Sequence, residues 1–592
     1  MATQHNRIGF WPLAIYWALI AAALAGRALA TSGTSPLITD TDDAMRLTMV
    51  HDFLGGQGWF DLMQHRLNTP YGGEMHWSRL IDLPEAILLL VLRPVFGGLA
   101  DTVAAYAWPL GLLALLLWAT AKLALRMGGR IAVPPALLLP AFSLIVMAEF
   151  APGRFDHHSA QILVTLAMLY CAIEALHRPR FAIGAGLAAA AALAIGIEGV
   201  PMVGITVLVF GLAWVANGKR SVALRDFGLS FALAMVLALA QGVAPDRWFN
   251  PVSDAISIVY TGGAILCGLA FLNLSLLPLR TPSMRFAAGA LAGAIAIGIV
   301  VAIDPDIVKG PYGHLDPWLV TNWLNRVSEA EPWLKSLMGE PVYPMAVLIP
   351  CLVALAVTVR MILRDRPNRE AWFVYGAFFA AAVLVMLLQI RAARIALPLS
   401  VPACALLVGA AWQRMVSTRG FAPILATMGA AIASASIAVA VVATAVVLAF
   451  PDYAAATDDP YRAQRQACLM PSAFTDLAGL PPERIMAPID LGSHILLYTP
   501  HSVVAAPYHR NGSAVRDAFH FFNDPIEDAR IVLEQRGIGL VVICPAMGEI
   551  RGLVDHAPDS FVALYAAGKL PSWLVDQSLP NSPLRIYAVM PR

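Results

Sequence analysis

The stretch EFAPGRFDHHSAQ, Glu149 to Gln161, sets acids and two histidines between runs of Leu, Ile, Val and Ala. Asp156 and His158, spaced as Asp-x-His, offer two ligands from one turn of chain. A carboxylate with a neutral imidazole suits a divalent cation such as Mg or Mn. A second acidic stretch, TDTDDAMR, carries Asp40, Asp42 and Asp43, and Asp40 or Asp42 is placed to close the coordination from another loop. Arg391 and Arg394 in IRAAR form a guanidinium pair, the donor type that grips a phosphate or pyrophosphate in bidentate fashion. Cation and arginine together point to a phosphorylated substrate. Taken singly, each feature has an ordinary use as well. TDTDDAMR serves as a solvated loop, Asp156 as a helix N-cap, and the arginines as side chains that snorkel to lipid headgroups. What decides is whether the chain brings them to one face.

The chain that must position them has 592 residues, 58% hydrophobic and 13% charged, against about 25% charged in an ordinary soluble domain. Repeated apolar runs of about 20 residues with short basic connectors describe a polytopic α-helical membrane protein. Thirteen spans are expected, at 8–30, 102–121, 131–148, 159–176, 181–197, 201–217, 226–243, 255–277, 286–303, 343–359, 371–389, 395–413 and 422–450. The first is read as an uncleaved anchor, because Arg27 interrupts the run before Ala28-Leu29-Ala30. Basic connectors alternate strictly with acidic or mixed ones, which puts the N-terminus in the cytoplasm and the C-terminus outside. Residues 83 to 98 are too short and interrupted for a span, and are expected to lie in the outer interface.

On that topology the outer loops 32–101, 149–158 and 304–342 bring the two acidic stretches together with Glu198, Glu329, Glu331 and the Arg391/Arg394 connector. After a membrane domain of residues 1–450, the composition of 451–592 becomes mixed, with β-like runs such as SVVAAPY beside helical segments, predicting a small extracytoplasmic α/β domain. Its Cys468 and Cys544 would stand in an oxidising compartment, where a disulfide is expected. Cys171, Cys267, Cys351 and Cys404 fall inside spans as packing residues. The net charge of +1 gives no footprint for nucleic acid.

At these residues the chain resembles the GT-C superfamily, in particular the catalytic subunit of archaeal and bacterial oligosaccharyltransferase. Asp40 to Arg46 resembles the opening of that family's first outer loop. WFDLMQHRLNTPYGGEMHWSRLID resembles its WFDPxxxxPxGxxxHWxPLxD segment, and GRFDHHSAQ its GFxDHH motif. The resemblance makes Asp156 and His158 metal ligands. RVSEAEPW resembles a loop motif ending in Glu, here Glu329, and IRAARIALPLSVP a stretch whose arginine contacts the donor diphosphate, here Arg391 or Arg394. One motif departs: where the family has WWDYG, which reads the hydroxyl of an Asn-x-Ser/Thr acceptor, this chain has PIDLG at 488–492, matching only at Asp490 and Gly492.

The resemblance implies a multi-pass protein of the bacterial inner (plasma) membrane. It would transfer a sugar from a polyprenyl phosphate or diphosphate to an extracytoplasmic polysaccharide, lipid or protein acceptor other than a sequon asparagine. Asp43 or Glu329 would orient or deprotonate the acceptor. Asp490, His501 and His509 in the outer domain would position it. The alternative is a transporter or flippase of a lipid-linked or anionic solute, for which buried charges along a translocation path are expected.

Overall fold

The computed structural model describes residues 8–33, 38–310, 312–313, 315–418, 420–449, 460–552 and 555–591. Within them the expected helical membrane architecture is present, followed by a small C-terminal region built on a sheet. Ten described helices are long and apolar enough to cross a membrane, or eleven if one bent pair counts as a single span.

The expected number of thirteen is therefore corrected at three places. Residues 131–148 are cut into the helix Val133–Leu138, the 3-10 turn Leu139–Phe142 and the helix Leu144–Glu149. Pro134, Pro135 and Pro140 withhold backbone donors there, and the Ser143 hydroxyl caps a new start by accepting from Val146 N at 3.4 Å. Phe181–Ile195 has 15 residues, about 22 Å of helix against the ~30 Å of a hydrocarbon core. Phe421–Ser434 and Ser436–Val447 meet at a 93° bend.

Residues 83–98 behave differently from a span. They lie in the helix Arg79–Phe96, which runs through the turn Gly97–Leu99 into Ala100–Gly128. The 50 residues together would measure about 75 Å, more than twice a bilayer core. The first part exposes Leu83, Ile87, Leu90, Val91 and Val95, and buries Arg79, Asp82 and Glu85. A helix with apolar residues outward and charges inward is built to meet lipid on one side and a polar protein interior on the other.

The segment between the helices Thr41–Leu54 and Arg79–Phe96 also contributes an antiparallel pair, β1 (Met63–Gln64) and β2 (Gly73–Glu74). The C-terminal region holds β3 (Arg484–Met486), β4 (Ser502–Val503), β5 (Leu540–Ile543), β6 (Leu574–Asp576) and β7 (Arg585–Val589), in the order β4-β3-β5-β7-β6. β3 pairs parallel with β4 and β5, and β7 antiparallel with β5 and β6. The expected boundary at 450/451 lies outside the described residues. The Cys468–Cys544 disulfide is formed, closing a separation of 76 residues.

This sheet region shares its core with the first outer loop. Met45, Met49, Leu67, Met75 and Trp77 pack into one apolar cluster with Phe474, Ile485, Leu491, Val503 and Val542. Arg66 locks the seam, donating from Nη1 to the Thr499 carbonyl and from Nη2 to the Leu496 carbonyl, both at 2.8 Å. His494 and Tyr508 reach the backbone oxygens of Ile38 at 2.9 Å and Thr41 at 3.0 Å. The helix Thr41–Leu54, with its acidic start, is therefore held directly against the C-terminal sheet region.

Candidate active site

The acidic start of that helix is built by its own sequence. Asp40 takes the N-cap position, its Oδ1 accepting from Asp42 N at 3.0 Å, which satisfies one of the donors a helix start leaves open. One turn on, Asp43 points inward. The loop it meets, Phe150–His157, turns at Gly153 (φ +95°), a left-handed conformation that favours glycine. Gly153 N donates to the Ala105 carbonyl at 2.8 Å, fixing the loop to the helix Ala100–Gly128.

Asp43 Oδ1 accepts from both Phe155 N and Asp156 N at 2.7 Å, and its Oδ2 lies 2.8 Å from Arg154 Nη1. Both oxygens of this 1% exposed carboxylate are thus committed. Asp43, expected as one of two carboxylates, with Glu329, to orient or deprotonate the acceptor, is held here as a clamp on the loop that presents Asp156.

Asp156, His157 and His158 form a group whose ligand atoms lie within 4.8 Å of one another, the one possible metal site among the described residues. All three are buried. Asp156 Oδ1 stands 2.5 Å from His157 Nδ1 and Oδ2 stands 2.9 Å from His158 Nε2. Glu198 approaches both rings, 3.6 Å from His157 Nε2 and 3.5 Å from His158 Nδ1. Burial pushes the Asp156 carboxyl up, but His157 and His158 outweigh it and hold the group well below the usual carboxylate range. Burial lowers His157, and Asp156 more than restores it. An acid kept ionised beside two imidazoles is a donor set that fits a divalent cation.

Asp40 and Asp42 were expected as further ligands. Asp40 instead joins Arg154, at 2.8 Å. Asp42 is half-buried, and burial together with Asp156 and Asp40 pushes its carboxyl up to about 7. Asp42 is therefore the acid of TDTDDAMR that feels Asp156 most directly without being locked to Arg154. His157 was not singled out as a ligand, because the Asp-x-His spacing skips it.

Two arginines were expected for phosphate, and the structure separates them. Arg394 Nε lies 2.9 Å from Glu149 Oε1, Nη2 2.7 Å from Glu329 Oε2, and Nη1 2.6 Å from His158 Nε2. Glu149 reaches on to Arg154 Nη2 at 3.1 Å. A chain of alternating charge therefore links Asp40 and Asp43 to Arg154, Glu149, Arg394 and Glu329. Arg391 donates from Nε to Gln389 Oε1 at 3.2 Å and lines the cavity.

That cavity has a volume of about 1350 Å³. His157, His158, Glu198, Arg391 and Arg394 line it together with His76, Trp77, Tyr260, Tyr312, His509 and Arg510. His509 reaches Asp254 Oδ2 at 2.7 Å, so the C-terminal region does contribute to the wall. His501 does not. It is fully buried, Nδ1 accepts from Glu483 N at 2.9 Å, and Nε2 faces the Leu477 carbonyl at 2.7 Å. Its expected acceptor role is corrected to a structural one, since both ring nitrogens are used by backbone. Asp490 is exposed at the start of the helix Ile489–Tyr498, near Asp40 and Glu549.

Solved structures with a similar fold exist. The archaeal oligosaccharyltransferase AglB of Archaeoglobus fulgidus, in complex with an inhibitory peptide and a dolichol-phosphate, aligns with a TM-score of 0.65 at 13% identity, covering 96% of this chain and 72% of that one. This chain has the AglB oligosaccharyltransferase fold. An oligosaccharyltransferase of the same organism tethered to an acceptor peptide with an NVT sequon gives 0.64 at 13% identity, over 94% and 72%. Another, in complex with Zn and sulfate, gives 0.58 at 14%, over 93% and 70%. No family model and no curated protein matches the sequence. The oligosaccharyltransferase fold is the GT-C architecture expected from the motifs, and at these identities the likeness is one of fold.

Proposed function

We propose that the chain is a GT-C-type glycosyltransferase that moves a sugar from a polyprenyl phosphate or diphosphate to an extracytoplasmic acceptor, with a divalent cation, Mg or Mn. The observation that carries this is that Arg391 lines the same cavity, large enough for a phosphosugar, as His157 and His158 of the Asp156-His157-His158 group. The fold supports it, and neighbours of that fold were solved with dolichol-phosphate in one case and with Zn and sulfate in another.

Asp156, His157 and His158 would hold the cation, which supplies charge neutralisation for a departing phosphate. Arg391 would take the phosphate oxygens, stabilising negative charge as the bond from the sugar C1 to the phosphate oxygen breaks. Arg394 is already engaged by two carboxylates, and would orient His158 and Glu329. The acceptor oxygen or nitrogen would bond to C1 from the side of Asp42 and Glu329, one of which would take its proton. Asp490, exposed beside Asp40, and His509 on the cavity wall would help position the substrates. Membrane helices would hold the lipid, in a bacterial inner membrane with the outer domain in the periplasm.

The test is purified protein in nanodiscs with lipid-linked sugars extracted from the native membrane, and mass spectrometry of envelope glycans and glycoproteins from a deletion strain. Loss of one sugar from the envelope and transfer abolished by EDTA are expected. An unchanged envelope with EDTA-insensitive lipid movement would instead establish the flippase alternative.

A further inference from the structure

We propose that the short helix Trp333–Gly339 is a membrane-surface anchor: Leu334 and Met338 enter the lipid headgroup boundary, and this hold keeps the segment carrying Glu329 against the Arg391/Arg394 connector. The surface is one that sugar transfer as read above leaves unused.

Leu334 is 60% exposed and Met338 68%, and at a spacing of four they share one face of the helix. The helix is tied down on another side. Trp333 packs against the core of the membrane helices, and its Nε1 donates to the Pro344 carbonyl at 2.8 Å. Pro344 lies in the first turn of Val342–Arg364, 23 residues long and apolar enough to cross a membrane. That helix measures about 34 Å, slightly more than the ~30 Å of a hydrocarbon core, so its first turn falls where hydrocarbon gives way to headgroups. Trp333 is bonded to that turn, and Met338 precedes Val342 by four residues. The short helix is therefore held along the bilayer boundary. An apolar face flanked by a tryptophan and Lys335 has the composition of an interfacial helix, and continuity with the spanning helix makes lipid the occupant of that face.

The same segment reaches the cavity. Ile390 N donates to the Glu331 carbonyl at 2.9 Å, and Arg394 Nη2 lies 2.7 Å from Glu329 Oε2. Lys335 Nζ stands 2.6 Å from Glu331 Oε1, joining the short helix to that contact. The Glu329 side chain is 48% exposed, and an ion pair so open to water holds a loop only weakly. Insertion of Leu334 and Met338 supplies a second hold, three to nine residues farther along the chain.

The experiment uses the full chain in phosphatidylglycerol/phosphatidylethanolamine nanodiscs. Nitroxide labels are placed at Leu334→Cys and at Met338→Cys, with the unsubstituted chain correcting for label on Cys171 and Cys267. Power saturation should show both labels open to oxygen and shielded from a water-soluble nickel complex, relative to a label at Leu579→Cys, an exposed apolar position of the C-terminal sheet region. Hydrogen exchange then reads the hold on the site. In Leu334→Lys/Met338→Lys the Ile390 amide should exchange about tenfold faster, the effect of losing about one hydrogen bond's worth of local closure. The milder Leu334→Ala/Met338→Ala should move it in the same direction. Nickel access at 334 and 338 equal to that at 579 overturns the proposal. Dipolar broadening between labels on two copies would put a second copy of the chain on this face, and overturns it as well. Unchanged exchange at Ile390 in both double variants removes the hold on Glu329 and overturns it too. None of these readouts uses sugar transfer, so the donor reading stands or falls separately.

Discussion

The carboxylate of Asp43 accepts the backbone N–H of Asp156 at 2.7 Å across 113 residues of sequence. One acid thereby sets the position of another that belongs to a different loop. Asp43→Ala leaves the buried N–H groups of Phe155 and Asp156 without their acceptor, at a cost of about 1–3 kcal/mol for each unsatisfied group, while Arg154 keeps Asp40 and Glu149. Metal affinity should fall about 10- to 100-fold, as for other losses of a ligand's supporting partner. Asp43→Asn, which keeps an oxygen for the two N–H groups, should fall less. Calorimetric titration with Mn checks it: wild-type affinity in the alanine variant would show that the loop holds itself.

Removing a ligand differs from removing its support. Asp156→Ala, His157→Ala and His158→Ala should each lower bound metal and transfer steeply while membrane insertion is kept, because these loop and helix-start residues contribute little to span partitioning. Elemental analysis of the purified variants distinguishes the members of the group. Full metal occupancy in His157→Ala would return it to the bystander that Asp-x-His spacing makes of it.

How much of this was legible in the sequence follows from what kind of signal each part leaves. Apolar runs are local, so every expected span corresponds to a helix or a broken helix. The three that fell short were marked by Pro134, Pro135 and Pro140, by the 15-residue limit of Phe181–Ile195, and by the break at Ala435. Asp156 and His158 were legible because their spacing is contiguous. The chain from Arg154 through Glu149 to Arg394 was not, since its members are adjacent only after four loops meet, and no residue type announces its partner. His501 misled for the same reason: an outer-domain histidine looks available until both ring nitrogens are seen to bind backbone.

Glu549 is expected to give the C-terminal sheet region a pH dependence. Burial, and then Asp490, push its carboxyl up to about 8. A raised folded-state pKa means that the folded chain holds a proton the unfolded chain releases. Stability is then full below the ordinary glutamate range and falls as pH rises from about 4.5 towards 8. For a partly exposed group the loss is on the order of 1–2 kcal/mol. Glu549→Gln should flatten the thermal-melting profile over that window. A slope unchanged in the variant would assign the dependence elsewhere.

Sidedness is read directly by reporter fusions. A fusion near Arg366 should report cytoplasm, and fusions near Lys335 and beyond Asp476 should report the outside, where the Cys468–Cys544 bridge would persist. A cytoplasmic outer domain would separate the cavity from any extracytoplasmic acceptor.

The acceptor is the part of the site where the chain departs most from the motifs it otherwise resembles. PIDLG does not build a platform of two tryptophans. Pro488 is the N-cap of the helix Ile489–Tyr498, and Ile489, 4% exposed, turns into the domain core. Gly492 is explained by packing, since a Cβ there would meet the Ala505 carbonyl oxygen at 2.0 Å. Only Asp490 remains exposed, and its neighbours Asp40 and Glu549 are acids, which suit a hydroxyl-rich or cationic group better than an asparagine flanked by a read-out hydroxyl. A site lacking the groups that recognise a substrate hydroxyl loses orders of magnitude in discrimination, about 10⁴ or more where such groups are buried. Purified protein given a lipid-linked sugar should therefore leave a fluorescent Asn-x-Thr peptide unmodified while transferring to envelope polysaccharide, lipid or another protein side chain. Robust glycosylation of the asparagine amide would refute this and restore a sequon acceptor, and Asp490→Ala would then be expected to abolish it.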